Sequence, residues 1–360
     1  MNTLKILTSQ AIPGMIVSED VYTKDLHLVI GKDTTLTDRI ITRLEFYSIT
    51  DFSVYFDNSY NDLKKEFGDN TFYNEIKSSN SFKLFRKAYQ NTVQHLRGSI
   101  DDLVANNQDV DPEQLLSDVS KILYQCTTNI ELFNMLHCMR EFDDITYVHS
   151  LNVSLICNIL GKWLHLSPED LEVVTLSGLL HDVGKLLIPT NIISKPGKLT
   201  NEEFSLIKKH TIRGYNSLKN KNLDERIKNA ALMHHERCDG SGYPNGLIEH
   251  EIDPFAKLVA IADVYDAMTC ARVYRGPLCP FEVINLFETE GYLKYDTKYI
   301  LTFLEGIVQT YINNNVRLNN NIEGEIVLIN KFELSRPIVM VGDDFIDLSK
   351  HRNLYIEALI

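Results

Sequence analysis

His181-Asp182-Val183-Gly184-Lys185 sets an imidazole beside a carboxylate and places a lysine three residues further on. Upstream, Ser167-Pro168-Glu169-Asp170 is a helix start, with Ser as N-cap, Pro at the first helical position and acids in the first turn. That helix runs through Leu171, Val174 and Leu179 to the His-Asp pair. Downstream, Thr200-Asn201-Glu202-Glu203 is a capping box whose helix carries Phe204 and Ile207 before His210. A further helix from about Asp224 has Ile227, Ala230 and Ala231 one and two turns ahead of His234-His235, which turns that pair inward. Asp263 falls in the middle of Phe255 to Met268, an apolar helix in which a lone carboxylate is costly unless paired or metal-bound. The pattern around the quoted stretch is therefore that of a mainly α fold.

With His149 added, seven candidate metal ligands fall between positions 149 and 263: His149, His181, Asp182, His210, His234, His235 and Asp263. Taken singly, each reads as an ordinary hydrogen-bonded residue, since satisfied polar groups are the common case. His234-His235 alone reads as a helix C-terminal cap favoured by the dipole, and Asp263 alone as a buried ion pair. Jointly, two doublets, two more histidines and an apolar-flanked Asp at inward helical positions point to metal-assisted hydrolysis. Neutral imidazole and carboxylate suit Fe, Mn, Ni and Zn. His27, His95, His137, His165, His250 and His351 have no such setting and read as bland.

Composition excludes several classes. The 360 residues suggest two or three domains, and 44% hydrophobic residues allow a sizeable core. Basic and acidic side chains number 36 and 49, a net charge of −13, which disfavours long nucleic acid but leaves room for a small anionic substrate held by a few local cations. Cys126, Cys138, Cys157, Cys238, Cys270 and Cys279 show no CxxC spacing, so neither a disulfide framework nor a zinc knuckle is expected. The amino terminus lacks signal-peptide character, and no stretch approaches the roughly 18 apolar residues of a membrane span. A cytoplasmic protein is the expectation.

Four segments follow. Residues 1–57 form a small α+β N-terminal module, with β-like runs at Leu26 to Ile30 and Phe52 to Phe56 around a helix near Thr37 that carries Ile40, Ile41 and Leu44. Residues 58–125 form a helical connector, with Leu63, Phe67, Phe82, Phe85 and Tyr89 at helical spacing and a break at Asp111-Pro112. Residues 126–320 hold every candidate ligand. After Asn-rich punctuation at 313–321, residues 321–360 form a short β-rich C-terminal segment, with strands at Glu325 to Ile329, Pro337 to Val341 and Leu354 to Ile356.

The quoted stretch matches the HDxGK motif of the HD phosphohydrolase superfamily. His234-His235-Glu236-Arg237-Cys238-Asp239-Gly240-Ser241-Gly242-Tyr243-Pro244 resembles the signature of its HD-GYP branch. The resemblance spans roughly Asp143 to Leu318 and takes in Thr146 to Ser150, Lys195 to Thr200 and Asp263 to Thr269. It implies an HD-type helical bundle core in a bacterial phosphodiesterase that hydrolyses cyclic di-GMP to linear pGpG and, in many members, GMP, through a hydroxide bridging two divalent ions. By position, the seven residues named above correspond to the family's metal ligands, with Asp182 the bridging carboxylate. The metals expected are two ions, Fe or Mn, with Ni and Zn as alternatives. Lys185, one helical turn from Asp182, is placed to neutralise charge on the transition state; its plainer reading is a lysine at a helix C-terminus. Arg272 and Arg275 fall where the family places substrate-phosphate contacts, and a guanidinium grips phosphate bidentately. Gly240, Gly242 and Pro244 shape a turn, in which Tyr243 contacts substrate or packs against the loop. Residues 1–57 resemble, more weakly, a small module that often precedes such domains, at Ile12 to Met15 and Leu36-Thr37.

One departure concerns metal number. Some HD-GYP proteins bind a third metal through a Glu four residues before the first ligand His; this chain has Ile145 there, and Asp144 points roughly 100° away on a helix. Two metals are therefore expected. The alternatives kept open are an HD hydrolase of another cyclic or linear dinucleotide, such as 3′,3′-cyclic GMP-AMP, and a catalytically weak cyclic-dinucleotide sensor or interaction protein. A signalling protein partner or a homodimer fits either reading.

Overall fold

The computed structural model describes residues 76–139, 145–193, 200–269 and 279–360 without a break. It also describes 2–8, 14–23, 28–37 and 51–56, and positions 11, 40, 41, 43, 44, 47 and 49. Leu26, His27, Leu63, Phe67, Asp144 and Cys270, named in the sequence reading, lie outside the described residues.

At the amino end β1 (Asn2–Leu7) pairs antiparallel with β4 (Asp51–Phe56), Asn2 opposite Phe56 and Leu7 opposite Asp51. A second antiparallel pair joins β2 (Val21–Tyr22) to β3 (Leu28–Ile30). Leu36, Ile41, Leu44, Phe52 and Val54 close a small hydrophobic cluster of their own. The sequence reading found β4 but not β1, whose partner lies more than forty residues away and leaves no local mark.

A larger core is helical. It comprises α1 (Asn80–Asn106), α2 (Pro112–Leu123), α3 (Asn129–Cys138), α4 (Ile145–Trp163), α5 (Pro168–Leu180), the short α6 (Thr190–Ile193), α7 (Asn201–Lys208), α8 (His210–Leu218), α9 (Glu225–Met233), α10 (Pro254–Thr269), α11 (Pro280–Leu286) and α12 (Thr297–Gln309). Their starts are capped as the sequence implies. Ser167 accepts from the Asp170 N–H with Pro168 at the first helical position, Thr200 and Glu203 form a reciprocal capping box, and Asp111 and Asp224 cap α2 and α9. Phe82, Phe85, Tyr89 and Leu96 of α1, and Leu115 and Ile122 of α2, share one hydrophobic cluster with the ligand-bearing helices. The described part of the segment expected as a connector, 76–125, thus supplies walls of that core. Asp263 lies on α10, which is buried along nearly its whole length.

Beyond α12, β5 (Asn315–Leu318), β6 (Glu323–Leu328), β7 (Ile338–Val341), β8 (Asp344–Asp347) and β9 (Ile356–Leu359) make an antiparallel sheet in the order β8-β7-β6-β5-β9. The Asn-rich stretch read as punctuation is punctuation only at its ends. Asn313 and Asn321 adopt φ of 67° and 64°, and between them Val316 and Leu318 are fully buried on β5. The last strand lies at Ile356–Leu359 rather than at Leu354 to Ile356, because its pairing with β5 fixes the register. Among the described residues no helix is long and apolar enough to cross a membrane.

Candidate metal centre

Most of the candidate ligands are delivered by helix ends. His181 caps α5, His234 caps α9, and His210 is the first residue of α8, directly after α7 ends. Helix C-termini leave backbone carbonyls short of partners, and these imidazoles bond to carbonyls near the helix ends. Nδ1 of His181 donates to the Gly178 carbonyl (2.7 Å), His210 to Ile207 (2.8 Å) and His234 to Ala230 (3.0 Å). A carbonyl can only accept, so each Nδ1 carries the proton and each Nε2 presents a lone pair. The capping role weighed for His234 is therefore real, and the same bond orients the ring as a candidate ligand would need.

The lone pairs converge on Asp182, which follows the α5 cap. Its Oδ1 lies 3.3 Å from His210 Nε2 and 3.6 Å from His234 Nε2; its Oδ2 lies 3.3 Å from His181 Nε2 and 3.7 Å from His149 Nε2. Two groups of ligand atoms result, one of Asp182, His210, His234 and His235 and one of His149, His181 and Asp182, with Asp182 common to both. Asp263 stands beside them, 3.0 Å from His149, 4.0 Å from His181 and 3.9 Å from His235. All seven expected ligands come together.

Divalent metal ions fit this donor set. His181 Nε2 and Asp182 Oδ1 are buried without a hydrogen-bond partner, and His210 Nε2 faces His234 Nε2 at 3.3 Å although neither carries a proton. Such an arrangement is costly in an apolar interior and satisfied by a shared cation.

Protonation follows the same logic. Burial pulls the His210 imidazole down to about 3, only partly opposed by Asp182, and lowers His234 and, strongly, His235, so these rings are neutral as ligands must be. Burial alone would raise Asp182 and Asp263. For Asp182 the ammonium of Lys185 leads the interactions that outweigh it; for Asp263 the His149 hydrogen bond does, and both carboxyls stay well below the usual carboxylate range. His149 is the exception: burial would lower it, but hydrogen bonds to Asp263 and Asp266 raise it to about 10. In the metal-free protein that ring is an imidazolium. Its stabilising contribution is complete below its ordinary value of 6.5 and is lost as pH rises through about 10. A metal must displace that proton, so affinity for Mn(II) should rise about tenfold per pH unit between pH 7 and 9. Calorimetric titration in buffers of different ionisation enthalpy should register about one proton released per chain.

Lys185 pairs with Asp182 Oδ2, but not through an α-helical turn as expected. Residues Val183–Leu187 form a 3-10 helix, in which positions three apart eclipse. Side-chain exposure marks the open side of the centre. His181, His210 and His234 are 0–1% exposed, whereas His149 reaches 15%, His235 19% and Lys185 29%. Tyr243 stacks on His235 with ring centroids 4.7 Å apart, and Lys208 Nζ lies 5.2 Å from its ring centroid. Gly242 allows that loop to fold back, since a Cβ there would lie 2.4 Å from Glu236 Cα. Arg272 and Arg275 lie outside the described residues.

Sequence reasoning missed three residues. Asp266, three positions after Asp263 on α10, accepts from His149 Nδ1 at 2.8 Å; the i, i+3 spacing was its signal. Glu236, almost fully buried, accepts from the Asn245 and Leu247 N–H groups and pins the glycine-rich loop, and Arg237 donates to the His234 and Glu236 carbonyls. Those two have no sequence mark beyond their place between the ligands and the loop.

A family model described as "HD domain" matches residues 91–299. A cyclic di-GMP phosphodiesterase of Pseudomonas aeruginosa is 33% identical over 205 residues, 56% of this chain and 49% of that protein. A 3′,3′-cGAMP-specific phosphodiesterase of Vibrio cholerae is 41% identical over 145 residues, 40% and 34% of the two chains. A cyclic di-GMP phosphodiesterase of Thermotoga maritima is 33% identical over 195 residues, 54% and 52%. The chain spans between a third and about half of the length of these relatives. With the family match covering more than half of its residues, and the HD and GYP motifs inside it, this chain belongs to the HD-domain family, on its HD-GYP side.

Proposed function

We propose that the chain is a metal-dependent phosphodiesterase that hydrolyses a cyclic dinucleotide, cyclic di-GMP, to linear pGpG and on to GMP. The observation that carries the reading is the sharing of Asp182 between two groups of imidazole donors, the arrangement expected of a carboxylate spanning two ions. Chemistry supplied by divalent ions held there is the activation of water near neutral pH and the withdrawal of charge from the phosphate. The protein's own part is positioning. Asp182 and Asp263 supply negative charge that concentrates cations in a buried site, and the three carbonyl-locked imidazoles fix the direction of the lone pairs. Lys185, partly exposed at the open side, meets the charge that builds on the phosphodiester. Arg272 and Arg275 grip the phosphate outside the metal shell, and Tyr243 offers a ring face to a base.

A second substrate is favoured by one observation: a relative at 41% identity is named for 3′,3′-cGAMP. Anaerobically purified protein incubated with each dinucleotide, followed by chromatography, separates the two. Formation of pGpG supports the reading; no product from either substrate with metal bound removes it.

Two expectations follow. Because α4 begins with Ile145 four residues before His149, where a third site would need an oxygen donor, elemental analysis should find close to two metals per chain, and Ile145→Glu should raise the number. Replacing Arg272 and Arg275 together by Ala should leave metal content unchanged and lower kcat/KM about tenfold or more, from the loss of a charge-assisted contact of about 1.5–3 kcal/mol. Lys at both positions should recover only part, since an ammonium lacks the planar fork. Parental turnover in the double Ala variant would make these arginines ordinary surface charges.

A further inference from the structure

One chain of buried hydrogen bonds leads out of the metal centre to a helix that holds none of its ligands. His149 Nδ1 meets Asp266 Oδ2 at 2.8 Å; the other oxygen of Asp266 accepts from Asn152 Nδ2 at 3.0 Å; and the Asn152 carbonyl oxygen accepts from the Tyr89 hydroxyl at 2.6 Å. Tyr89 is 1% exposed, Asn152 1% and Asp266 1%, so no link competes with bulk water. Tyr89 belongs to α1, the 27-residue helix that precedes the ligand-bearing helices in sequence. Its hydroxyl also lies 3.2 Å from the Val148 carbonyl, next to His149 in the chain. A second tie flanks the same ligand: Tyr147 on α4 donates to Asp101 of α1 at 2.6 Å, with Arg97 of α1 over its ring at 5.3 Å.

Packing alone does not call for this chain. A phenyl ring would fill the space of Tyr89, and an apolar pair would serve packing better than Asn152 and Asp266 beside a core of mainly aliphatic and aromatic side chains. Each polar member is instead satisfied by the next, and the series ends on His149, whose Nδ1 hydrogen-bonds a carboxylate at 2.8 Å where those of His181, His210 and His234 use backbone carbonyls. A carboxylate behind a ligating imidazole fixes its tautomer and ring plane and raises its basicity.

We propose that Tyr89, Asn152 and Asp266 are positioning residues that couple the seating of α1 to the orientation of His149, so that α1 acts as a control element for the metal centre. The proposal rests on the metal-centre reading above. A shift of α1 against α4 by the length of a hydrogen bond breaks the Tyr89–Asn152 link and frees Asp266 and His149 to turn, weakening the site without unfolding it.

The test is Mn(II) affinity of the full chain, measured by competition with a fluorescent chelator, with thermal unfolding as a control. Asp266→Asn should weaken Mn(II) binding about 10- to 100-fold. Tyr89→Phe, which leaves the buried Asn152 oxygen without its donor, should lower the unfolding midpoint of the metal-free protein by no more than a few degrees and still weaken Mn(II) binding several-fold. In the double variant the Tyr89→Phe loss should vanish, because its path to His149 is already cut. Parental affinity in Tyr89→Phe, or losses that simply add, would overturn the coupling. If Asp182→Ala abolishes Mn(II) binding while Asp266→Asn keeps parental affinity, the positioning role is wrong and the metal centre stands. A parent that binds no Mn(II) overturns both.

Discussion

Asp182→Ala is expected to lose bound metal and hydrolytic activity together while the helical fold survives. The carboxylate lies within 3.7 Å of four imidazole nitrogens and belongs to both ligand groups, so its loss dismantles two sites at once. Its contribution to apolar packing is small by comparison, since the surrounding helices are held by the large hydrophobic cluster. Removing several kcal/mol of metal-derived transition-state stabilisation corresponds to a loss on the order of 10³-fold or more in kcat. Far-UV circular dichroism should stay parental, elemental analysis should fall to background, and product formation should disappear. Parental turnover in the metal-depleted variant would end the proposed mechanism.

The second large effect is expected at a residue with no side chain. Gly184 lies in the 3-10 turn after Asp182, and a Cβ there would lie 1.9 Å from the His210 carbonyl oxygen and 2.5 Å from the Gly214 nitrogen. Both obstacles are backbone, so Gly184→Ala must push the turn away from α8. That movement separates Asp182 and Lys185 from His210, and overpacking of this severity costs about 3 kcal/mol or more. Thermal scanning should show a midpoint lower by about 5–10 °C, and metal content should fall with it. Gly98→Ala provides the contrast: it sits on α1 with nothing within 4 Å of its Cβ, and should be neutral or slightly stabilising. Equal behaviour of the two variants would mean that the contact between the turn and α8 does not set the ligand geometry.

Much of the candidate site was legible because its ligands sit where local signals are strongest. Helix caps at Ser167, Thr200 and Asp224 are written in the sequence, and they fix where the ends bearing His181, His210 and His234 fall. What the sequence hid is non-local. The strand at Asn2–Leu7 depends on a partner near residue 54, and the strand inside the Asn-rich stretch depends on neighbours on both sides in the sheet. Asp266 was visible as a residue but not as a partner of His149, since their hydrogen bond spans 117 positions. The helix expected to carry Lys185 tightens to a 3-10 turn because Gly184 packs on backbone, a contact that no spacing rule expresses.

The central claim is that Asp182 and its surrounding imidazoles hold divalent ions that serve the hydrolysis of a cyclic dinucleotide. The most direct measurement is to purify the full chain anaerobically, count its metals, strip them with a chelator, and follow cyclic di-GMP by chromatography before stripping, after stripping and after Mn(II) or Fe(II) is restored. The account predicts about two metals per chain, pGpG formation by the loaded protein, none by the stripped protein, and recovery on reloading. Undiminished hydrolysis by the stripped protein would contradict it.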